Sequence, residues 1–272
     1  MHNDSVKLKV DLKEAYILFK LMGINSFIGY TNPFISTSPG DLKNELIRAK
    51  NNLLLEGILI EREGRIGIEP LAFSILQACK LSQNISWLHL EKKGEVRDSY
   101  FYISSRQVIE VVEEMHKGSA AIEFALTGDH EDFFCEIEQA LNVPLVEKAD
   151  HFNGKMNQGT YIHLLDSYDK ISFEELVSYI DTHEKLSEKV TVNFLESLIN
   201  SSAIGQLVFI NRDLGVLDGV RFVLSKNHNW VLNVNRENNQ ELLIQSVLGN
   251  DLMKKVYETY IESFAKTKRI VD

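Results

Sequence analysis

The 272-residue sequence predicts an α+β fold. It reads as a central, largely antiparallel sheet built from two pseudo-twofold-related halves, with helices packed on one face and at the C-terminus. Three observations predict this. Segments with apolar residues at i, i+3 and i+4 alternate with β-branched and aromatic runs. The second half replays the pattern of the first at an offset of about 119 residues. The composition, 44% hydrophobic and 25% charged with only 4 Pro and 15 Gly, is that of an ordinary globular chain and excludes disordered or collagen-like classes.

Leu12, Ala15, Tyr16, Phe19 and Met22 share one helical face, so residues 11–22 form an amphipathic helix. After a turn-rich segment, Ser38-Pro39-Gly40-Asp41 has the form of a capping box with Pro at the first helical position. Leu42, Leu46, Ala49 and Leu53 carry that helix to Gly57. Ile58–Ile60 and Ile66–Ile68 flank a Gly64 turn, a hairpin signal. Leu71, Ile75, Leu76 and Cys79 mark a further helix. The period then changes. Strands are expected at Ile85–Leu90, Tyr100–Ile103 and Val108–Val112, with a turn at Lys93-Gly94-Glu95. Ile122–Leu126 is a short strand or a helix start, and Asp129–Leu141 is a helix with Phe133, Phe134, Ile137 and Leu141 inward.

Residues 142–170 are the least regular, with Asn153-Gly154 and Gln158-Gly159 as turn signals, and read as a connection. Ser172-Phe173-Glu174-Glu175 is a second capping box, opening a helix with Leu176, Val177 and Ile180. A helix at Val190–Ile199 follows, then strands at Ile204–Phe209, Val220–Leu224 and Trp230–Val234, and a last helix with Leu252 and Val256. This series matches the one from Ile75 to Ile137 element by element. The expected organisation is a single domain, 1–272, with repeated halves 1–145 and 171–272 joined by connection 146–170. Two three-stranded units joined edge to edge would cover part of their exposed edges.

The chain carries 29 Lys and Arg against 39 Asp and Glu, a formal charge of −10. That excess weighs against an extended nucleic-acid footprint, which needs a basic face. Met1–Lys7 lacks a basic start followed by an apolar run, and the densest apolar stretch, Ala15–Met22, is too short for a membrane span. The reading is a cytoplasmic protein with no membrane partner. Cys79 and Cys135 each sit in an apolar helical pattern, which suits two buried thiols better than a disulfide.

Catalysis finds no support. Neither a phosphate-cradling Gly loop nor a G-x-S-x-G elbow is present, and the eight histidines form no H-x-x-x-H pair. His130 and Cys135 flank an acidic helix start without a second ligand pair, so no metal and no cofactor are expected. Glu113-Glu114 and Glu174-Glu175 read as surface and helix-dipole acids rather than as a catalytic dyad. The chain is not expected to be an enzyme. One alternative is a winged-helix-type DNA-binding regulator through residues 42–68. There Lys43, Arg48, Lys50, Arg62 and Arg65 are interleaved with Glu45, Glu56, Glu61 and Glu63.

Gly205-Gln206, the strand that follows, a polar turn, Val220–Leu224 and Trp230-Val231-Leu232 resemble the C-terminal half of the EspG-like proteins, cytoplasmic chaperones of type VII (ESX) secretion. The order of elements and the repeat are similar over most of the chain. Two features depart from the family pattern: Asp150–Tyr161 contains no Pro, and the family's late-hairpin aspartate and Gly-Arg-Tyr pattern is missing between Ser225 and Trp230. The resemblance therefore implies a distant Gram-positive relative that binds a secreted helical-hairpin or LXG-type protein rather than a PE–PPE pair. It also implies protein-binding residues Gln206, Val208, Phe222 and Leu224, set by strand alternation onto one face or its edge, together with helix 250–264. Partner identity and oligomeric state stay open.

Overall fold

A computed structural model describes residues 6–116, 119–146 and 150–271. Residues 1–5 of the N-terminal reading, and 147–149 of the predicted connection, lie outside the described residues. The elements, in order, are β1 (Lys7–Asp11), α1 (Leu12–Met22), α2 (Pro39–Leu55), β2 (Leu59–Arg62), β3 (Arg65–Ile68), α3 (Pro70–Leu81), β4 (Asn84–Lys92), β5 (Glu95–Ile103), β6 (Val108–His116), β7 (Ser119–Gly128) and α4 (His130–Leu141). They continue with β8 (Asn153–Asn157), α5 (Gln158–Ser167), α6 (Phe173–His183), α7 (Glu188–Ile199), β9 (Ser201–Asn211), β10 (Gly215–Ser225), β11 (Asn229–Val234), β12 (Glu241–Val247) and α8 (Gly249–Val271). The fold is α+β. Ten strands form one sheet in the order β1-β7-β6-β5-β4-β9-β10-β11-β12-β8, and β2 and β3 pair separately.

The chain resolves into two compact units, one of residues 1–86, 98–136 and 211–213, the other of 87–97, 137–210 and 214–272. In the first unit, Asp11 caps α1 through a complete capping box with Glu14, and Gly23 ends the helix in the left-handed conformation. Ala15, Leu18, Phe19 and Met22 are buried. Phe19 stacks on Phe27 at 4.4 Å, and Phe27 on Tyr102 at 4.5 Å. The Tyr102 hydroxyl donates to the Ile28 carbonyl at 2.8 Å. The adjacent residue, Phe101, points the other way and meets Phe133 of α4 at 5.0 Å. The sheet of this unit is thus packed on both faces, as strand alternation requires.

The sheet of the second unit is also packed on both faces. A buried cluster joins Tyr161 and Leu164 of α5, Leu176 and Ile180 of α6 and Phe194, Leu195 and Leu198 of α7 to Ile204, Val223, Trp230, Leu232, Leu242 and Ile244 on one sheet face. Trp230 is fully buried, and its indole donates to Ser197 Oγ at 2.9 Å. The opposite face carries Phe209, whose ring lies 5.7 Å from that of Tyr260 on α8.

Four elements, β1, β8, β12 and α5, were not expected from the sequence. β1 pairs with β7 and β8 with β12, both antiparallel, and β12 itself follows β11. The Asn153-Gly154 and Gln158-Gly159 pairs, read as turns, are a strand and the first turn of α5. They hold that conformation because Leu242 registers with Met156, which is fully buried. Asn157 also caps α5 through Gly159 N–H. Ile122–Leu126 lies within strand β7. The thiols also differ from expectation: Cys79 is buried and Cys135 is exposed, because Phe133 and Ile137 define the inward side of α4 and Cys135 lies off it.

Candidate functional site

Alternation along β9 decides what its residues can touch. Ile204 faces the α5–α7 cluster, so Gln206 and Val208 continue that face toward the strand's far end. Gly205 points the other way. A Cβ there would meet the Phe222 ring at 2.9 Å and the His89 carbonyl oxygen at 2.2 Å. On β10, Val223 registers with Trp230 and Arg221 with Leu232, placing Arg221 on the Gln206 face and Phe222 behind it.

The four residues drawn from the sequence therefore do not share a face. Gln206 and Val208 are half-buried and look into open concavities. Phe222 and Leu224 are fully buried on the opposite face, the side on which α8 presents Leu252, Val256 and Tyr260. An outward-facing role for Phe222 is excluded by that burial. Helix 250–264 lies within α8, on the Phe222 side.

Beside α5, the Gln206 face opens into two adjoining concavities. One, about 340 Å³, is lined by His89, Glu91, Tyr161, Leu165, Tyr168 and Ile204, together with Gln206 and Arg221. The other, about 440 Å³, is lined by Val208, Leu217, Val234, Asn235 and Asn239, again with Gln206 and Arg221. The shared pair makes them one trough with a polar middle. Its second part has an apolar floor because Gly219 lies beside Val208: a Cβ there would come within 3.3 Å of the Val208 Cα and 2.9 Å of the Leu207 carbonyl oxygen.

Charge around the trough is unevenly matched. Arg236, at one end, is held by Glu262 at 2.6 Å and Asp218 at 3.5 Å. Asn235 donates to Glu241 at 2.9 Å. Arg221 has neither a hydrogen bond nor an ion pair among the described residues. Burial pushes the Tyr161 hydroxyl up, partly opposed by the nearby Arg221 charge, so Tyr161 stays protonated at neutral pH. The alternation that singled out Gln206 and Val208 also holds Leu217, Gly219 and Arg221 on β10. In the sequence Arg221 is masked by the apolar run Val220–Leu224 around it, whose other members are buried.

The other candidates have structural partners. Glu175 closes the capping box of α6 with Ser172, and Glu114 accepts from Lys9 at 2.7 Å. His130 Nε2 lies 3.0 Å from the Ser104 carbonyl oxygen. No group of three metal-ligating side chains occurs among the described residues, and no helix among them is long and apolar enough to cross a membrane. In the helix–hairpin of residues 42–68, Ser38 caps α2 and Glu45 pairs with Lys13 at 2.7 Å. On the hairpin, Arg62 and Arg65 stand opposite each other with Glu61 and Glu63 interleaved, all exposed.

No family model matches the sequence, and no curated protein matches it. A solved structure does: the Mycobacterium tuberculosis type VII secretion system chaperone EspG5, in complex with a PE25-PPE41 dimer, is similar with a TM-score of 0.61. The match covers 95% of this chain and 96% of that one at 8% sequence identity. At that identity the likeness is one of fold, and it runs over nearly the full length of both chains.

Proposed function

We propose that this protein is a cytoplasmic substrate-binding chaperone of a type VII secretion system, one that holds a secreted helical protein soluble before export. The observation that carries this reading is the trough on the Gln206 face, set on a fold matched end to end by a chaperone described in complex with its dimeric partner. A concave apolar floor with polar groups at its middle and ends is the form taken by surfaces that accept an amphipathic helix. Gln206 and Val208 would contact the substrate. Phe222 and Leu224 would act from beneath, packing the sheet that carries them. The substrate class is a helical-hairpin or LXG-type protein, since the chain departs from the EspG pattern in Asp150–Tyr161 and between Ser225 and Trp230. Binding without turnover fits the structural roles of Glu114, Glu175 and His130.

The test is co-expression with secreted helical-hairpin and LXG-type proteins from the same secretion locus, followed by affinity purification. The unmodified protein is expected to retain one of them, and Val208→Asp to lose it at unchanged melting temperature. Retention of none by the unmodified protein, or equal retention by Val208→Asp, would sink the reading.

A further inference from the structure

Arg221 is a cation in the trough on which no acid is placed among the described residues. The chain has ten more acids than bases, yet among the described residues none is placed on this guanidinium. Glu91 lines the same concavity without an ion pair to Arg221. Arg236, more exposed, has two acids. The Arg221 side chain is half-buried, and its guanidinium presents five N–H donors in a planar fork that matches a carboxylate; none of its nitrogens is sealed from solvent, so the fork is open to a ligand. The surroundings suit a second, apolar contact. Gly219, beside Val208, is two residues from Arg221 along β10, roughly 7 Å at strand rise. One turn of α-helix rises about 5.4 Å, so residues three or four apart on a helix span a similar distance.

We propose that Arg221 is a carboxylate-binding residue, and that the helical substrate segment seated in the trough carries an Asp or Glu side chain three or four positions from an apolar residue that rests on Val208. This deepens the chaperone reading and rests on it. It also gives the trough a direction: the acid lies at the Gln206–Arg221 middle and the apolar residue toward Val208, Leu217 and Val234. Gln206, on the neighbouring strand and lining both concavities, adds an amide within the same polar middle.

The experiment has two arms, both on the full chain. In the first, methyl-labelled protein is titrated with sodium hexanoate and separately with hexanamide, which has the same tail and no charge. Shifts at the Val208, Leu217 and Val234 methyls should saturate at a hexanoate concentration at least about tenfold lower than for hexanamide, the scale of one charge-assisted bidentate contact. Arg221→Gln should abolish that preference. Equal response to the two probes, or a preference that survives Arg221→Gln, would overturn the proposal. In the second arm, capture of the co-expressed secreted protein is compared between the unmodified protein, Arg221→Lys and Arg221→Gln. Affinity should fall about tenfold or more in Arg221→Gln, with partial recovery in Arg221→Lys. Undiminished capture by Arg221→Gln overturns this inference and leaves the chaperone reading standing. Hexanoate selectivity without any capture does the reverse: the carboxylate site stands and the chaperone reading falls.

Discussion

Gly205 is where the trough depends most directly on the backbone, and Gly205→Ala tests that dependence. The new Cβ would sit 2.2 Å from the His89 carbonyl oxygen, about 1 Å inside ordinary carbon–oxygen contact, and 2.9 Å from the Phe222 ring. The ring can turn aside, but the carbonyl belongs to β4, the neighbour of β9 in the sheet. Moving the strands apart by about 1 Å would lengthen one or two ladder hydrogen bonds past their useful range, at roughly 1 kcal/mol each. Overpacking strain adds about 1–3 kcal/mol, and the smaller unfolded-state entropy of Ala returns about 0.5–1 kcal/mol. The net loss is about 2–3 kcal/mol, or a fall in melting temperature of roughly 5–10 °C for a chain of this size. Thermal unfolding followed by circular dichroism reads it. Gly67→Ala is the control, because its Cβ would be 4.0 Å from the Ile60 carbonyl oxygen and should change little. The double variant Gly205→Ala/Phe222→Leu should recover almost none of the loss, since the backbone clash remains. A melting temperature for Gly205→Ala within about 1 °C of the unmodified protein, or full rescue by Phe222→Leu, would refute the reasoning.

Four further outcomes are expected. Phe222→Asp buries a charge without a partner on the α8 side and should yield insoluble protein, whereas Val208→Asp should stay soluble with a native spectrum; a folded Phe222→Asp would contradict the face assignment. Trp230→Phe loses the bond to Ser197 and some packing, about 1–2 kcal/mol by urea denaturation, and combining it with Ser197→Ala should cost less than the two single losses added. Under native conditions an alkylating reagent at pH 8 should label Cys135 and spare Cys79, whose thiol is pushed up by burial; labelling of both without denaturant would contradict the α4 orientation. A 30-base-pair DNA duplex at low salt should show no salt-sensitive shift with this protein, because Glu61 and Glu63 offset Arg62 and Arg65; a shift abolished by Arg62→Glu would revive the helix–hairpin of residues 42–68 as a DNA-binding element.

Much of the fold was legible because its signals are local. The N-cap Ser38, the capping box at Ser172 and the Pro at the start of α2 announce helices whatever surrounds them. Lys93-Gly94, both with positive φ, likewise announces the β4–β5 turn. The strands that escaped are those whose reason lies elsewhere in the chain. β8, Asn-Gly-Lys-Met-Asn, has turn composition and becomes a strand through its register with β12 and the burial of Met156. β1 is short and carries two lysines whose partners, Glu123 and Glu114, lie more than a hundred residues away. At the site, period-two alternation was enough to place Gln206 and Val208 together. It did not say which face of β10 would join them, because that follows from the β10–β11 register and from the close approach at Gly205. Arg221 carried a signal, a charge inside an apolar run, that a strand-by-strand reading could have weighed more heavily.

The central claim is that this protein binds a secreted helical partner through the Gln206–Val208–Arg221 trough. Its most direct measurement is the affinity, by calorimetry, of the purified protein for the secreted protein it captures on co-expression, compared with Val208→Asp and with Leu55→Asp at an exposed site on α2 that lines neither concavity. The account predicts saturable binding by the unmodified protein and Leu55→Asp, and at least a tenfold loss for Val208→Asp. Equal affinity in all three, or a loss confined to Leu55→Asp, would contradict it.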